Sequence, residues 1–197
     1  MPKTPHPAPK PAAAKPAAAK PAAGKPAAGK PAAGKPAAPD RGIVARPNAF
    51  PWPPVLLVAS IAGAFALQLF VPLPWVPSPI QELLTLFGLV LVGIALAIDI
   101  TSVLTLRRAQ TTFLPHRGTA HLVTSGPFSF SRNPIYLGNV ILLFGLGLAF
   151  GNPWFWPLAL VDGALTQRLA ILREEQHLQA KFPAAFLAYK RKVRRWI

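Results

Sequence analysis

The chain has no cysteine. That excludes a disulfide scaffold, a thiolate zinc site and a cysteine nucleophile. Acidic residues are nearly as scarce, with 6 Asp+Glu among 197 residues, and charged residues of both signs make up only 14%. A soluble domain carries about 25%. With 52% hydrophobic residues and a mean hydropathy of +0.36, the chain is not an ordinary soluble globule. It is not a disordered basic protein either, because it has too much apolar surface to leave in water. The charge it does have is one-sided: 21 Lys+Arg set the net charge at +15. Together with 25 prolines, this means that the charge and the apolar runs lie in different parts of the sequence.

The first part is residues 1–50. Between 10 and 39 the chain is almost purely Lys, Pro, Ala and Gly, with Lys10, Lys15, Lys20, Lys25, Lys30 and Lys35 each followed by proline. The prolines forbid a continuous helix, and nothing there is large enough to build a core. The pattern predicts a disordered arm of polyproline-II character. It lacks the apolar stretch of a secretory signal. Even charge spacing and the absence of interleaved aromatics favour a solvated tether. The sharper alternative is a ligand for nucleic acid or anionic lipid.

From residue 51 the composition inverts. Apolar segments run over about 53–73, 82–106, 135–150 and 154–173. A helix of ~20 residues rises ~30 Å, enough for a hydrocarbon core. Segments one, two and four reach that length; the third is shorter and turns back after Gly151, Asn152 and Pro153, as a tight hairpin would. Lys and Arg number 9 in residues 1–50, 4 in 107–132 and 8 in 168–197, which accounts for all 21. The connections at 74–81 and 150–153 have none. Four spans would therefore gather every basic region on one face, the positive-inside pattern, with both termini cytoplasmic. Trp52, Trp75, Trp154, Trp156 and Trp196 fall near segment ends, where interfacial anchors belong. The expected fold is an all-α integral membrane bundle of about four transmembrane helices, with a disordered N-terminal arm.

Two polar constellations are candidates for chemistry. The first closes a Gly- and Pro-rich loop over 107–135 and reads Ser131-Arg132-Asn133-Pro134-Ile135-Tyr136. Pro134 suits the first turn of a helix, with Asn133 or Ser131 as cap, and Arg132 beside a helix N-terminus is a plausible anion site. Capping alone accounts for Asn133 and Pro134 but not for Tyr136. The second ends segment four with Arg168, Arg173, Glu174, Glu175 and His177. Adjacent carboxylates at a helix C-terminus oppose the macrodipole, and they point ~100° apart, so they do not face one substrate as a dyad. A buried Glu there could bind a ribose diol or a cation; alternatively Arg173 and the basic tail simply offset the pair. The run from Leu178 through Phe182, Pro183 and Tyr189 to Arg194-Arg195-Trp196 predicts an interfacial helix. Asp99 and Asp162 lie inside apolar segments, where ionisable residues are either functional or engaged in helix–helix hydrogen bonds. Gly145 and Gly147 fit close helix packing. His116, His121 and His177 have no metal spacing, so no metal site is expected.

From about Thr111 to Trp196 these features, in this order, resemble a family of membrane methyltransferases. It includes the isoprenylcysteine carboxyl methyltransferases and the phospholipid N-methyltransferases. Leu122-Val123-Thr124-Ser125-Gly126-Pro127-Phe128 leads into Arg132-Asn133-Pro134-Ile135-Tyr136; a helical hairpin follows, then Glu174-Glu175, Leu178, Phe182, Tyr189 and Arg194-Arg195-Trp196. The resemblance implies S-adenosylmethionine as methyl donor, enclosed by Arg132, Asn133, Pro134, Tyr136, Glu174 and Glu175, with Tyr189 and Arg194 closing the pocket. It implies that Glu174 or Glu175 holds the ribose or the amino group. Arg132 and Arg194 would hold the cofactor carboxylate or a substrate anion, and Tyr136 would pack on or hydrogen-bond the cofactor. Asn133 stands where the isoprenylcysteine branch usually has His, and Pro183 where many members have Gly.

The expected domain plan is an arm over 1–50, a first transmembrane pair over 51–106 and a methyltransferase core over 107–197. The expected function is methyl transfer to a lipid-borne or small hydrophobic acceptor at the cytoplasmic interface of the bilayer. A polar cofactor would enter from the cytosol and the acceptor sideways from the membrane. The alternatives are a related membrane reductase using a nicotinamide cofactor, and a non-enzymatic membrane anchor for the basic arm.

Overall fold

The computed structural model describes residues 50–109 and 122–197. The expected arm and part of the 107–135 loop lie outside those residues. Among the described residues all regular structure is helical. Helix α1 spans Trp52–Phe70 and α2 spans Ile80–Arg108. A 3-10 turn, Gly126–Ser129, precedes α3, Pro134–Phe150. Helix α4, Phe155–Thr166, passes through a π turn, Gln167–Ile171, into α5, Leu172–Lys181, and α6 spans Pro183–Lys192.

The ends of the helices have local causes. Helix α1 starts on two prolines in its first turn, where a missing N–H costs nothing. It stops short of the expected residue 73 because Pro72 and Pro74 follow and the Gln68 amide folds back to bond Leu73, donating to its carbonyl at 3.3 Å and accepting its N–H at 3.4 Å. Helix α3 ends on Gly151 at φ 61°, the left-handed cap that glycine adopts without a Cβ penalty. Buried Asn152 then ties the hairpin down: its side-chain amide donates to the Ala64 carbonyl of α1 at 3.0 Å and its oxygen accepts the Trp154 N–H at 3.0 Å. The Trp154 indole donates to the Val71 carbonyl at 2.8 Å, and Trp75 packs on Trp156 with ring centroids 5.7 Å apart.

Helix α2 lies along α3, and α1 packs on α4. The α2–α3 seam is close because both sides lack side chains. A Cβ on Gly88 would come within 2.5 Å of the Ala149 nitrogen and 2.7 Å of the Gly145 carbonyl; one on Gly145 would come within 2.9 Å of the Gly88 carbonyl. The expected packing role of Gly145 is what the backbone shows. The small apolar core of Ala64, Leu143, Phe155 and Ala159 sits where α1, α3 and α4 meet.

Helices α1 and α2 are long and apolar enough to cross a membrane, and only 17% and 11% of their apolar windows are buried inside the protein. Leu69, Phe70, Leu83 and Val58 are among the large apolar side chains that point outward. A core helix of a soluble protein would show the opposite pattern. Against four expected spans, two helices thus have spanning length. Helix α3, with 17 residues, rises about 26 Å. Segment four is longer than expected: it runs through the π turn to Lys181 rather than stopping at 173.

Candidate functional site

The polar residues of the second half gather at one end of the bundle, opposite the Asn152 hairpin. The extended tail after α6 makes the centre of this cluster. The Arg132 N–H donates to the Arg194 carbonyl at 3.0 Å, and the Asn133 side-chain amide donates to the Arg195 carbonyl at 3.0 Å. The Ser131 hydroxyl reaches the same carbonyl at 3.4 Å and accepts the Asn133 N–H at 3.1 Å. Neither Ser131 nor Asn133 caps α3 through its side chain. Asn133 does occupy the expected N-cap position of α3, but both side chains are buried and hold the tail instead of bonding the helix. Pro134 does occupy the first turn of α3, fully buried.

Two carboxylates from one turn of α5 serve different partners. Tyr136 donates its hydroxyl to Glu174 Oε1 at 2.7 Å. Glu175 is gripped from two sides, by Arg132 at 3.0 Å and by Arg195 through two bonds of 3.0 and 2.8 Å. The ~100° between neighbouring helical residues is what sends them to separate partners. They do not sit at a helix C-terminus, since the π turn carries the rod on without a break to Lys181 and leaves them in its interior, away from either end of the backbone dipole.

Glu174 is partly exposed as a residue, yet desolvation pushes its carboxyl up from the ordinary range to about 7, with the Tyr136 hydrogen bond acting the other way. Burial would raise Glu175 as well, but the Arg195 hydrogen bonds and the Arg132 and Arg195 charges outweigh it, and the net direction is down.

Arg132 is the most constrained cation of the cluster. Its side chain is 9% exposed, and one terminal nitrogen bonds Glu175. Its Nε and Nη1 are buried and have no partner among the described residues. Buried, unsatisfied guanidinium donors are costly, so they mark a place where a ligand anion or carboxylate would be stabilised.

Other expected site residues are placed differently. The Tyr189 hydroxyl donates to the Phe128 carbonyl at 2.6 Å, and burial pushes it up to about 12. Tyr189 also packs with Phe186 and Val193 in a second apolar cluster. It locks the 3-10 turn that precedes Arg132. The Arg194 side chain is exposed, and its backbone carbonyl is what meets Arg132. Arg195, which sequence reasoning passed over, is the residue on Glu175. Three basic or aromatic neighbours in a row give no signal for choosing among them. Trp196 donates its indole N–H to Gln167 Oε1 in the π turn at 2.8 Å, another contact that spacing did not announce. Asp162, 2% exposed, lies 3.5 Å from the Ser60 hydroxyl across α1 and α4. Asp99 abuts Gly138, where a Cβ would collide with its carboxylate.

Residues 83–185 match the family model of the phospholipid methyltransferases. A Haemophilus influenzae protein described as an uncharacterized protein is 33% identical over 63 residues, 32% of this chain and 100% of that protein. No solved structure matches the chain.

Proposed function

We propose, from the premise that this chain belongs to the phospholipid methyltransferase family, that it transfers a methyl group from S-adenosylmethionine to a lipid-borne or small hydrophobic acceptor. Membership implies methyl transfer as the class of reaction, and the two long apolar helices suit a membrane protein. The observation that carries the cofactor reading is Arg132: two buried, unpartnered guanidinium donors within one cluster with two carboxylates of unlike character. A zwitterionic amino-acid moiety fits that donor set. The free Arg132 donors would hold its carboxylate, and Glu174 would hold its ammonium or a ribose diol. The cofactor supplies an electrophilic sulfonium methyl, so the protein's share of catalysis is orientation and exclusion of water.

In this reading each residue has a defined task. Glu175 keeps Arg132 aimed and charged, and Arg195 completes its pairing. Asn133 and Ser131 hold the tail across the site. Tyr136 fixes the Glu174 carboxyl. The topology we propose is four-pass, with both termini cytoplasmic. All 21 basic residues fall in three regions that this arrangement puts on one side, while the 150–153 turn and the 74–81 connection carry none. The cluster then sits at the inner rim of the bilayer, open to cytosolic cofactor and to lipid. The Lys- and Pro-rich arm over 1–50 serves as a solvated tether, with contacts to anionic lipid or nucleic acid as the alternative role.

The direct test is calorimetric titration of the folded, detergent-solubilised protein with S-adenosylhomocysteine. Binding is expected, and none in a folded preparation overturns the reading. Incubation with methyl-labelled donor and a lipid extract, followed by mass spectrometry, names the acceptor. Deleting residues 1–45 should spare the transfer; loss of transfer would instead favour an anchor that works through its arm. Preference for a nicotinamide nucleotide over S-adenosylhomocysteine would favour a reductase.

A further inference from the structure

An open groove of about 210 Å³ lies between α3 and α4. Val140 forms its α3 wall; Leu160, Gly163, Ala164 and Gln167 form the α4 side, and Trp196 closes one end. From Ala159 to Gln167 the α4 lining extends about 12 Å along the helix. The groove is too small for a nucleoside cofactor, since ligand pockets usually start at about 300 Å³. Its walls are apolar except at the Gln167–Trp196 end.

Three observations identify what it holds. Its rim belongs to the outward apolar face: Leu160 is 65% exposed, and Val161 and Leu165 beside it are exposed too. In a bilayer that rim meets hydrocarbon. Its α3 wall leads to the chemistry in one helical turn, because Val140 follows Tyr136 by four residues on the same face and Tyr136 holds Glu174. Its polar end is formed by Gln167 and Trp196, which are hydrogen-bonded to each other at 2.8 Å. An apolar slot that ends in polar groups one helical turn from the charged cluster matches a lipid whose chain lies in the slot and whose head reaches the site.

We infer that this groove seats one hydrocarbon chain of the methyl acceptor, and that Ala164 sets which chains fit. The inference rests on the methyltransferase reading above. The small side chains of Gly163 and Ala164 leave room for one slender chain, and Val140 limits its width: a Cβ on Gly163 would already lie 3.3 Å from Val140 Cγ2. Trp196, held by Gln167, stops the chain where the head must turn toward Glu174. Ala164 is exposed rather than part of the core, so a larger side chain there fills the slot without displacing a helix.

The test uses the full chain in lipid nanodiscs doped with a phosphatidylethanolamine that carries a diazirine midway along one acyl chain. Photolysis and peptide mapping should place adducts on residues 159–167 and Trp196. Ala164→Phe should reduce those adducts at least fivefold while leaving adducts on α1 and α2 and the affinity for S-adenosylhomocysteine as in the wild type. Ala164→Gly should retain the adducts. With a lipid extract and labelled donor, the methylated products of Ala164→Phe should shift at least fivefold toward shorter chains. Adducts scattered over the apolar surface, or unchanged in Ala164→Phe, overturn the chain seat. Adducts lost with an unchanged product profile reduce the groove to a structural lipid site and overturn its role in selection. A wild-type protein that methylates nothing defeats the methyltransferase reading, and with it the role in selection, while the adduct map still decides whether a chain lies in the groove.

Discussion

The two ends of the bundle are built on different principles. At the hairpin end, α2 and α3 touch backbone to backbone through Gly88 and Gly145, and Asn152 and Trp154 bond main-chain carbonyls of the neighbouring segment. The Trp75 indole nitrogen there is buried without a partner among the described residues. At the opposite end, Arg132 is buried with two donors that have no partner among the described residues, and Glu174 is held in surroundings that disfavour its charge. One end is resolved by packing and the other retains electrostatic tension that a ligand can relieve. Such tension is concentrated where binding or catalysis uses it, and the contrast is the reason the proposed site is put at this end.

The largest expected effect comes from breaking the charged end. Glu175→Ala leaves Arg132 buried without its counter-ion; S-adenosylhomocysteine affinity should fall at least tenfold by calorimetry, and thermal stability should fall by about 3 kcal/mol. Near-wild-type affinity would remove Glu175 from the site. Next comes the packed end. Gly88→Val forces a Cβ into the α3 backbone and should cost about 2 kcal/mol of stability, while ligand affinity of the folded fraction stays unchanged. If affinity fell as well, the two ends would be coupled and the contrast would fail.

A subtler effect separates the carboxylates by pH. Glu174 titrates near 7 when folded, above the ordinary carboxyl value of 4.5. Between those values the folded state holds the extra proton, so the unliganded protein should lose stability as pH rises from about 4.5 to 7 and level off beyond. Ligand affinity should rise over pH 6 to 8 as Glu174 ionises, and Glu174→Gln should flatten that rise. Glu175, displaced downward, behaves in the opposite sense: its stabilisation is present above the ordinary carboxyl range and is lost only as the solution is acidified through its lowered pKa. The smallest expected change is Tyr189→Phe, which gives up the bond to the Phe128 carbonyl and should cost about 1 kcal/mol by thermal melting. A larger loss of affinity than of stability would place Tyr189 on the ligand rather than on the loop.

Helix boundaries were legible from residues 50 onward because proline, glycine and apolar run length act locally. Helix α2 begins and ends within two residues of the expected 82–106, and the hairpin turn at Gly151–Pro153 was readable from three residues. The grouping of Arg132, Asn133, Tyr136, Glu174 and Glu175 was legible through the family pattern. The choice of Arg195 over Arg194 was not, because it depends on where an extended tail crosses the end of α3. The π turn was also invisible: Gln167–Ile171 has no proline or glycine to announce it.

Composition and charge order alone were enough to separate a basic Pro-rich arm from an apolar helical body and to sort its basic regions from its uncharged turns, because partition between water and hydrocarbon acts on each segment independently. Which guanidinium neutralises which carboxylate, and which donors are left waiting in the interior, depended on chain segments 20 to 62 residues apart meeting in space. Pairing energies at such distances vary with ångström-scale approach and local desolvation, and neither quantity exists until the helices have packed.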